Sequence, residues 1–505
     1  VWLRFDAAAG SAALLGLTTI LVIRGVTAKL NVTSTSGLGG AILVGVLLAV
    51  AVGVRAPHKV AVWICDRAWP VFSTRMRRNG EPSVVVMNPP TADVSLYWMV
   101  VAVAALVAGL CAALLPLLVS CVEWAYRSLL AGFLWSFVPH VMLAATVGFF
   151  AVALPLIPVG LLLACVHHLS CHAGQWHTRA AGWYLAGAGL GQAGFPWLVS
   201  VTGHVEPILA AAALPLLIAS VVAVLASRPA GRGGQVTPDE SETSAPALRD
   251  RWPTLMRLCI VATSLCCVIV ACVGQRLAPA ATPGGPYAES SRLAAMLMAA
   301  AIGTLLGCRP KAVGYPTVSG FGLACAAAGG VVALCLAYVH SVDAGASMST
   351  LIVIVAGVGT IAYATAYGIE SLLVRVGSRS IVGGTLLWRM IIVLVLWFGL
   401  IERLVYLADA YRLLATFVAL VLVCIGAALI VSEPAHSSGT RRIRLAAVAA
   451  AVLVLILTWP DSIRPSSGRA DAGQPSDRAD GNVASRRYAA PAATTLPPRP
   501  SASTP

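Results

Sequence analysis

The sequence predicts an all-α polytopic membrane protein of about thirteen transmembrane helices, laid out as two six-helix halves and one further C-terminal helix. Three observations carry this expectation. Of 505 residues, 58% are hydrophobic and only 11% charged, against roughly 25% charged in soluble domains. Apolar runs long enough to cross a bilayer, about 17 to 25 residues each, recur along nearly the whole chain. Lys and Arg fall on alternate loops: with residue 55 on the cytoplasmic side, inside loops hold seventeen, from Arg55 to Arg442, and outside loops four, Lys29, Arg127, Arg276 and Arg403. Cytoplasmic loops retain positive charge, so a span missed or invented mid-chain would scramble that count. The formal charge of +14 is therefore mostly topology and argues against nucleic acid as a partner. The expected location is a cell membrane of the bacterial inner (cytoplasmic) type, crossed many times.

The first run, 8 to 24, is read as a retained helix and not a signal peptide. A second run at 37 to 54 follows closely, and no clean small-residue cleavage site ends the first. Residues 55 to 94 form a long polar cytoplasmic segment in which Val60, Val62, Trp63, Trp69 and Val71 are mixed with a basic set. It is either a helix lying on the inner leaflet or a solvated loop with aromatic anchors. The next runs are 96 to 119, 141 to 166, 181 to 202 and 206 to 226.

Residues 227 to 253, rich in Gly, Pro, Ser and acids, read as a flexible cytoplasmic linker. It separates an N-terminal bundle, 1 to 226, from a C-terminal bundle, 254 to 459. The second bundle contains runs at 254 to 273, 291 to 308, 317 to 340, 347 to 370, 385 to 401 and 411 to 432, then a thirteenth at 443 to 459. From residue 460 the chain lacks apolar periodicity and is rich in Pro, Ser and Ala, the composition of a disordered tail. Most of the thirteen cysteines, Cys111, Cys266 and Cys325 among them, lie inside spans without any CxxC pair. They read as small apolar packing residues, which argues against redox or zinc chemistry.

The stretch RAAGWYLAGAGLGQAGFPWLV at 179 to 199, which leads into the fifth run, carries small residues at close spacing. In lipid, helices gain nothing by burying Leu against Leu, so close association relies on small residues that let backbones approach. Gly187 and Gly191 stand four apart, Ala180 lies one heptad before Gly187, and Gly194 is expected to continue the face. Pro196 removes a backbone donor and should bend the helix near its outer end. Arg179 and Trp183 sit where an inner-boundary anchor belongs.

With Arg179, the run GAGLGQAG and Pro196 in the fifth span, after a basic inner loop, the chain resembles the major facilitator superfamily (MFS) of transporters. The six-plus-six layout and central linker are similar too. In that family an arginine opens the fifth helix and a Gly-rich, Pro-containing motif packs it across the bundle. The inner-loop motif is more widely spaced here: Gly53, Asp66, Arg67 and the cluster Arg75, Arg77, Arg78 keep the family's order. The second-half stretch GCRPKAVGYP keeps Gly307, Arg309 and Lys311 but has no Asp. A second stretch, CVEWAYRSLLAGF with Glu123, Arg127, Leu129 and Leu130, is similar to the first-helix pattern of membrane-embedded spermidine-synthase-like proteins, with spacing that differs by one residue. Those proteins carry a soluble aminopropyl-transfer domain, and no soluble region here is long enough to hold one.

Charge inside the bilayer is the default pointer to function. No acid falls at the middle of a predicted span; the nearest are Glu123, beyond the third, and Glu370, at the inner end of the tenth. Glu123 and Arg127 are placed to pair at i and i+4, and Glu370 to pair with Arg375 or Arg379. These pairs are boundary salt bridges or contacts to a gate or solute. Arg389, a turn into the eleventh span, either snorkels to the inner surface or faces a cavity and binds an anion. His168 and His172 have the i, i+4 spacing that points two ligands at one metal from a helix, but no acidic ligand is near and Gly174 should end the helix. An interfacial turn is the plainer reading. No Walker loop, catalytic Ser/His/Asp set or HExxH is present, so neither an enzyme nor a resident cofactor is expected.

Two functional expectations follow. One is a secondary transporter of an unknown small-molecule solute. The other is a non-catalytic membrane module, related to the spermidine-synthase-like proteins or acting as scaffold for a protein partner.

Overall fold

The computed structural model describes residues 2–29, 89–130, 178–227, 252–277, 286–308, 317–341, 347–376 and 411–432, with residues 159, 162, 166, 442, 445, 446, 448–454 and 456. All belong to one compact unit that ends at Ser462. The expected second and eleventh spans, nearly all of the fourth, the segment 55 to 88, most of the linker and the tail lie outside the described residues.

Every regular element among the described residues is a helix. In chain order these are α1 (Trp2–Lys29), α2 (Pro89–Ala113), α3 (Leu115–Leu130), α4 (Arg179–Thr202), α5 (Glu206–Ala211), α6 (Ala213–Ser227), α7 (Trp252–Leu277), α8 (Pro286–Gly307), α9 (Val318–Ser341), α10 (Ser347–Val376) and α11 (Tyr411–Ser432). Residues 448–454 are helical as well. Seven stretches among the described residues are long and apolar enough to cross a membrane, and α2 with α3 forms an eighth when taken as one bent span. The chain is a multi-pass membrane protein. α4 falls short of that apolarity because its glycines and Gln192 dilute its leucines.

Prolines account for the two interruptions. α2 and α3 occupy the expected third span but meet at a 44° bend. Pro116, at the second position of α3, cannot donate to the carbonyl one turn back, and its ring crowds that carbonyl. Pro215, at the third position of α6, likewise deprives the Ala211 carbonyl of a donor at the break between α5 and α6. α3 also runs on past residue 119, which places Glu123 and Arg127 on a helix continuous with the bent span.

Buried apolar residues fall into two principal clusters. One is built from elements before the linker and includes Val22, Ala105, Leu115, Leu209 and Leu216. The other is built from elements after it and includes Ile260, Phe321, Ile361 and Leu422. In the first, α1 packs on α4 and α6, and α2 on α6; in the second, α9 packs on α10 and α11, α10 on α7 and α8, and α11 on α7. α4 also packs along α8, across the linker in sequence. Val448 shares a small buried cluster with Ala326 of α9 and Ile430 of α11, so the last described segment lies against the second group.

Candidate functional site

α4 is the helix on which the polar contacts converge, and its glycines decide what it can touch. A Cβ at Gly187 would strike the Ala13 carbonyl of α1, and one at Gly191 would lie 3.1 Å from Leu17 Cδ1. From the opposite side, Gly16 of α1 lies against the Tyr184 carbonyl. Half a turn around, a Cβ at Gly182 would lie 2.7 Å from Leu305 Cγ, and one at Gly189 2.8 Å from Met298 Sδ, both on α8. The glycine run therefore forms two bare faces, one for each neighbour, where the sequence pointed to a single face.

Gly194 continues neither face among the described residues, since a Cβ there would meet nothing within 4 Å. A heptad falls short of two full turns by about 20°, so Ala180, Gly187 and Gly194 drift progressively around the helix. The drift turns Gly194 about 20° from Gly187, toward Leu190 and Trp197, which are 62% and 64% exposed. The helix ends at Gly203, whose φ of 67° puts it in the left-handed cap conformation while its N–H donates to the Val199 carbonyl at 2.9 Å.

Pro196 lies inside α4. Its missing N–H would have served the carbonyl of Gln192, four residues earlier. That carbonyl is instead served from α8: the Ser290 hydroxyl donates to it at 2.6 Å. The Gln192 side chain returns the contact, Nε2 donating to Ser290 Oγ at 3.0 Å. Gln192 is 1% exposed and Ser290 fully buried, so water does not compete for either bond. Gln192 Oε1 has no hydrogen-bond partner among the described residues.

The other end of the α4–α8 seam holds a second polar cluster. Thr178, which precedes α4, donates both its backbone N–H, at 2.6 Å, and its hydroxyl, at 2.7 Å, to Glu370 Oε1 of α10. A carboxylate accepting from a helix N-terminus is favoured by the helix dipole and by the charge-assisted bonds. Cys308, at the end of α8, contacts Thr178 Oγ1 at 2.7 Å and donates to the Thr304 carbonyl at 3.1 Å. Thr178 has one hydroxyl proton and gives it to Glu370, so the single thiol proton of Cys308 is shared between two acceptors, the Thr304 carbonyl and Thr178 Oγ1. Arg179 and Glu370 both lie near enough to act on Cys308 electrostatically. Glu370 is 1% exposed, which makes it a buried acid that reaches across 192 residues of sequence.

A third feature links α1 to α4. The Arg24 guanidinium lies over the Phe195 ring, 5.8 Å from its centroid, and Arg24 Nε is buried without a hydrogen-bond partner among the described residues.

Of the residues singled out in the sequence, Glu370, Arg179, Gly187, Gly191 and Pro196 all lie at these contacts. Glu123 and Arg127 are on α3 and Arg375 is on α10, with side chains outside the described residues; Arg389, His168 and His172 lie wholly outside them. Among the described residues, no group of three His, Cys, Asp or Glu is placed to hold a metal. Sequence reasoning missed Thr178, Cys308, Gln192, Ser290 and Arg24. Two of these had a signal: Gln192 stands four before a mid-helix proline, and Arg24 is a charge at the end of a span.

No family model matches the chain, and no curated protein matches it. Among solved structures, it is similar to a bacterial homologue of the human lysosomal transporter Spinster, in an inward-facing and unoccupied conformation. The two share 16% identity with a TM-score of 0.38, over 91% of this chain and 97% of that one. Agreement at that level carries no argument about this chain's activity, and the grounds for function are its own helices.

Proposed function

We propose that this chain is a secondary transporter that moves a small solute by alternating access of two six-helix halves. The observation that carries the reading is the α4–α8 seam. A helix from before the linker lies along one from after it, with glycine in place of side chains at Gly182 and Gly189. The seam is held at one end by Gln192 with Ser290 and at the other by Thr178 with Glu370 and Cys308. Smooth packing closed by a few directional bonds is what two bodies need if they are to rock without unfolding.

Internal repetition supports the same reading. α2 and α1 both pack on α6, and α9 and α7 both pack on α11. In spans these are third and first on sixth, then ninth and seventh on twelfth, the same pairing displaced by six. In this reading the halves are residues 1 to 226 and 254 to 459, the division expected from the sequence. The Arg and Lys distribution puts the Thr178 cluster on the cytoplasmic side and the Gln192 pair toward the outside.

The test is solute counterflow in proteoliposomes containing the purified chain, combined with labelling of single cysteines placed along α4, α8 and α10. Accumulation of a solute, with mid-helix positions labelled from water, supports transport. Labelling confined to helix ends, with no solute accumulated, would sink the reading in favour of a closed membrane module.

A further inference from the structure

Three features of α4 and α1 point to one place. With about 100° of rotation per residue, Ala188, Phe195 and Gln192 fall on the arc of α4 between the face given to α1 and the face given to α8. All three are buried, whereas Leu190, Trp197 and Val201 on the opposite arc are exposed. The arc therefore faces the inside of the bundle. Arg24 from α1 reaches Phe195 on that arc, one helical turn beyond Gln192.

The polar atoms left over at this place are complementary in kind. Arg24 Nε is a buried donor on a cation, and Gln192 Oε1 is a buried acceptor; neither has a hydrogen-bond partner among the described residues. Unsatisfied buried polar atoms are costly, and more so where one belongs to a charged group. Arg24 stands near the end of a span and is half-buried, with its Nε enclosed by protein. We propose that this arc binds a small organic carboxylate that also carries a hydroxyl or ammonium donor. The carboxylate takes the Arg24 guanidinium, the donor takes Gln192 Oε1, and Phe195 forms the wall between them. Gln192 is held for this task by Ser290, which occupies its Nε2 and leaves Oε1 toward the ligand. The proposal rests on the transporter reading in one respect: the solute must reach this depth.

The experiment uses the full chain purified into lipid nanodiscs, with thermal unfolding followed against L-malate, L-glutamate, succinate and glycerol. Binding to the folded state alone raises the melting temperature with ligand concentration. L-malate or L-glutamate should stabilise saturably, succinate, which is malate without its hydroxyl, more weakly, and glycerol not at all. Arg24→Gln should weaken the apparent affinity about tenfold or more, the scale of one lost charge-assisted bond. Arg24→Lys, which keeps the charge and loses the Nε–H, should also weaken it and serves as the readout if Arg24→Gln does not fold. No stabilisation by either donor-bearing carboxylate, or native affinity retained in both Arg24 variants, overturns the site. Counterflow separates the two readings: binding without counterflow keeps the site and removes transport, while counterflow indifferent to Arg24 keeps transport and removes the site.

Discussion

Ser290 of α8 donates its hydroxyl at 2.6 Å to the main-chain carbonyl of Gln192 in α4, the carbonyl that Pro196 deprives of its helical donor. A break in one helix is thereby mended by its neighbour, and the mend is also a tie between segments on either side of the linker. This gives a sharp expectation of non-additivity. Ser290→Ala should cost about 1–3 kcal/mol, the penalty for leaving buried polar groups unserved. Pro196→Ala restores an N–H for the same carbonyl, so in that background the Ser290→Ala penalty should shrink by about 1 kcal/mol. Unfolding of the four proteins in detergent measures the cycle, and strictly additive effects would show that the two residues do not share the carbonyl.

The glycines of α4 should separate by face. Gly187→Ala places a methyl on the Ala13 carbonyl of α1, an overpacking worth about 1–3 kcal/mol. Gly194→Ala meets open space and should be neutral or stabilising by up to about 1 kcal/mol, since alanine is the better helix former. Equal losses at both positions in a thermal melt would contradict the packing described.

Glu370 should protect Cys308. Glu370→Ala leaves the Thr178 N–H and hydroxyl without their acceptor and loosens the contact among α4, α8 and α10. Maleimide labelling of Cys308, read by mass spectrometry against the chain's other cysteines, should become faster. Glu370→Gln keeps an oxygen for Thr178 and should fall between the native protein and the alanine variant. Unchanged labelling in both variants would mean that the carboxylate does not hold this end of the seam.

A covalent tie across the seam should stop the proposed cycle. Gly182 and Leu305 face each other closely, so cysteines at both positions are placed to cross-link on oxidation. Counterflow should be lost with the bond and return on reduction. Full activity with the bond intact would exclude rocking about this seam.

The membrane character, the helical class and, among the described residues, most span limits were legible in the chain because they depend on local averages. A bilayer demands continuous apolar helix, and each run of Leu, Val and Ala reports it without reference to any other. The glycines of the fifth span announced close packing in the same way. The heptad from Ala180 to Gly194 misled in its last step: the spacing keeps Gly194 within about 20° of Gly187, yet a Cβ there meets nothing within 4 Å.

What the sequence by itself determined, then, was the solvent of this protein and the small-residue character of α4. Only the tertiary structure decided that α4 has two bare faces and that Ser290 answers for Pro196. It also decided that Glu370, 192 residues from Thr178, caps the start of α4. The reason is physical: bilayer insertion is scored residue by residue along a helix, whereas an orphaned carbonyl or a buried carboxylate takes any donor that folding brings within about 3 Å. The identity of that donor is a property of the packed bundle and leaves no mark at either end of the chain.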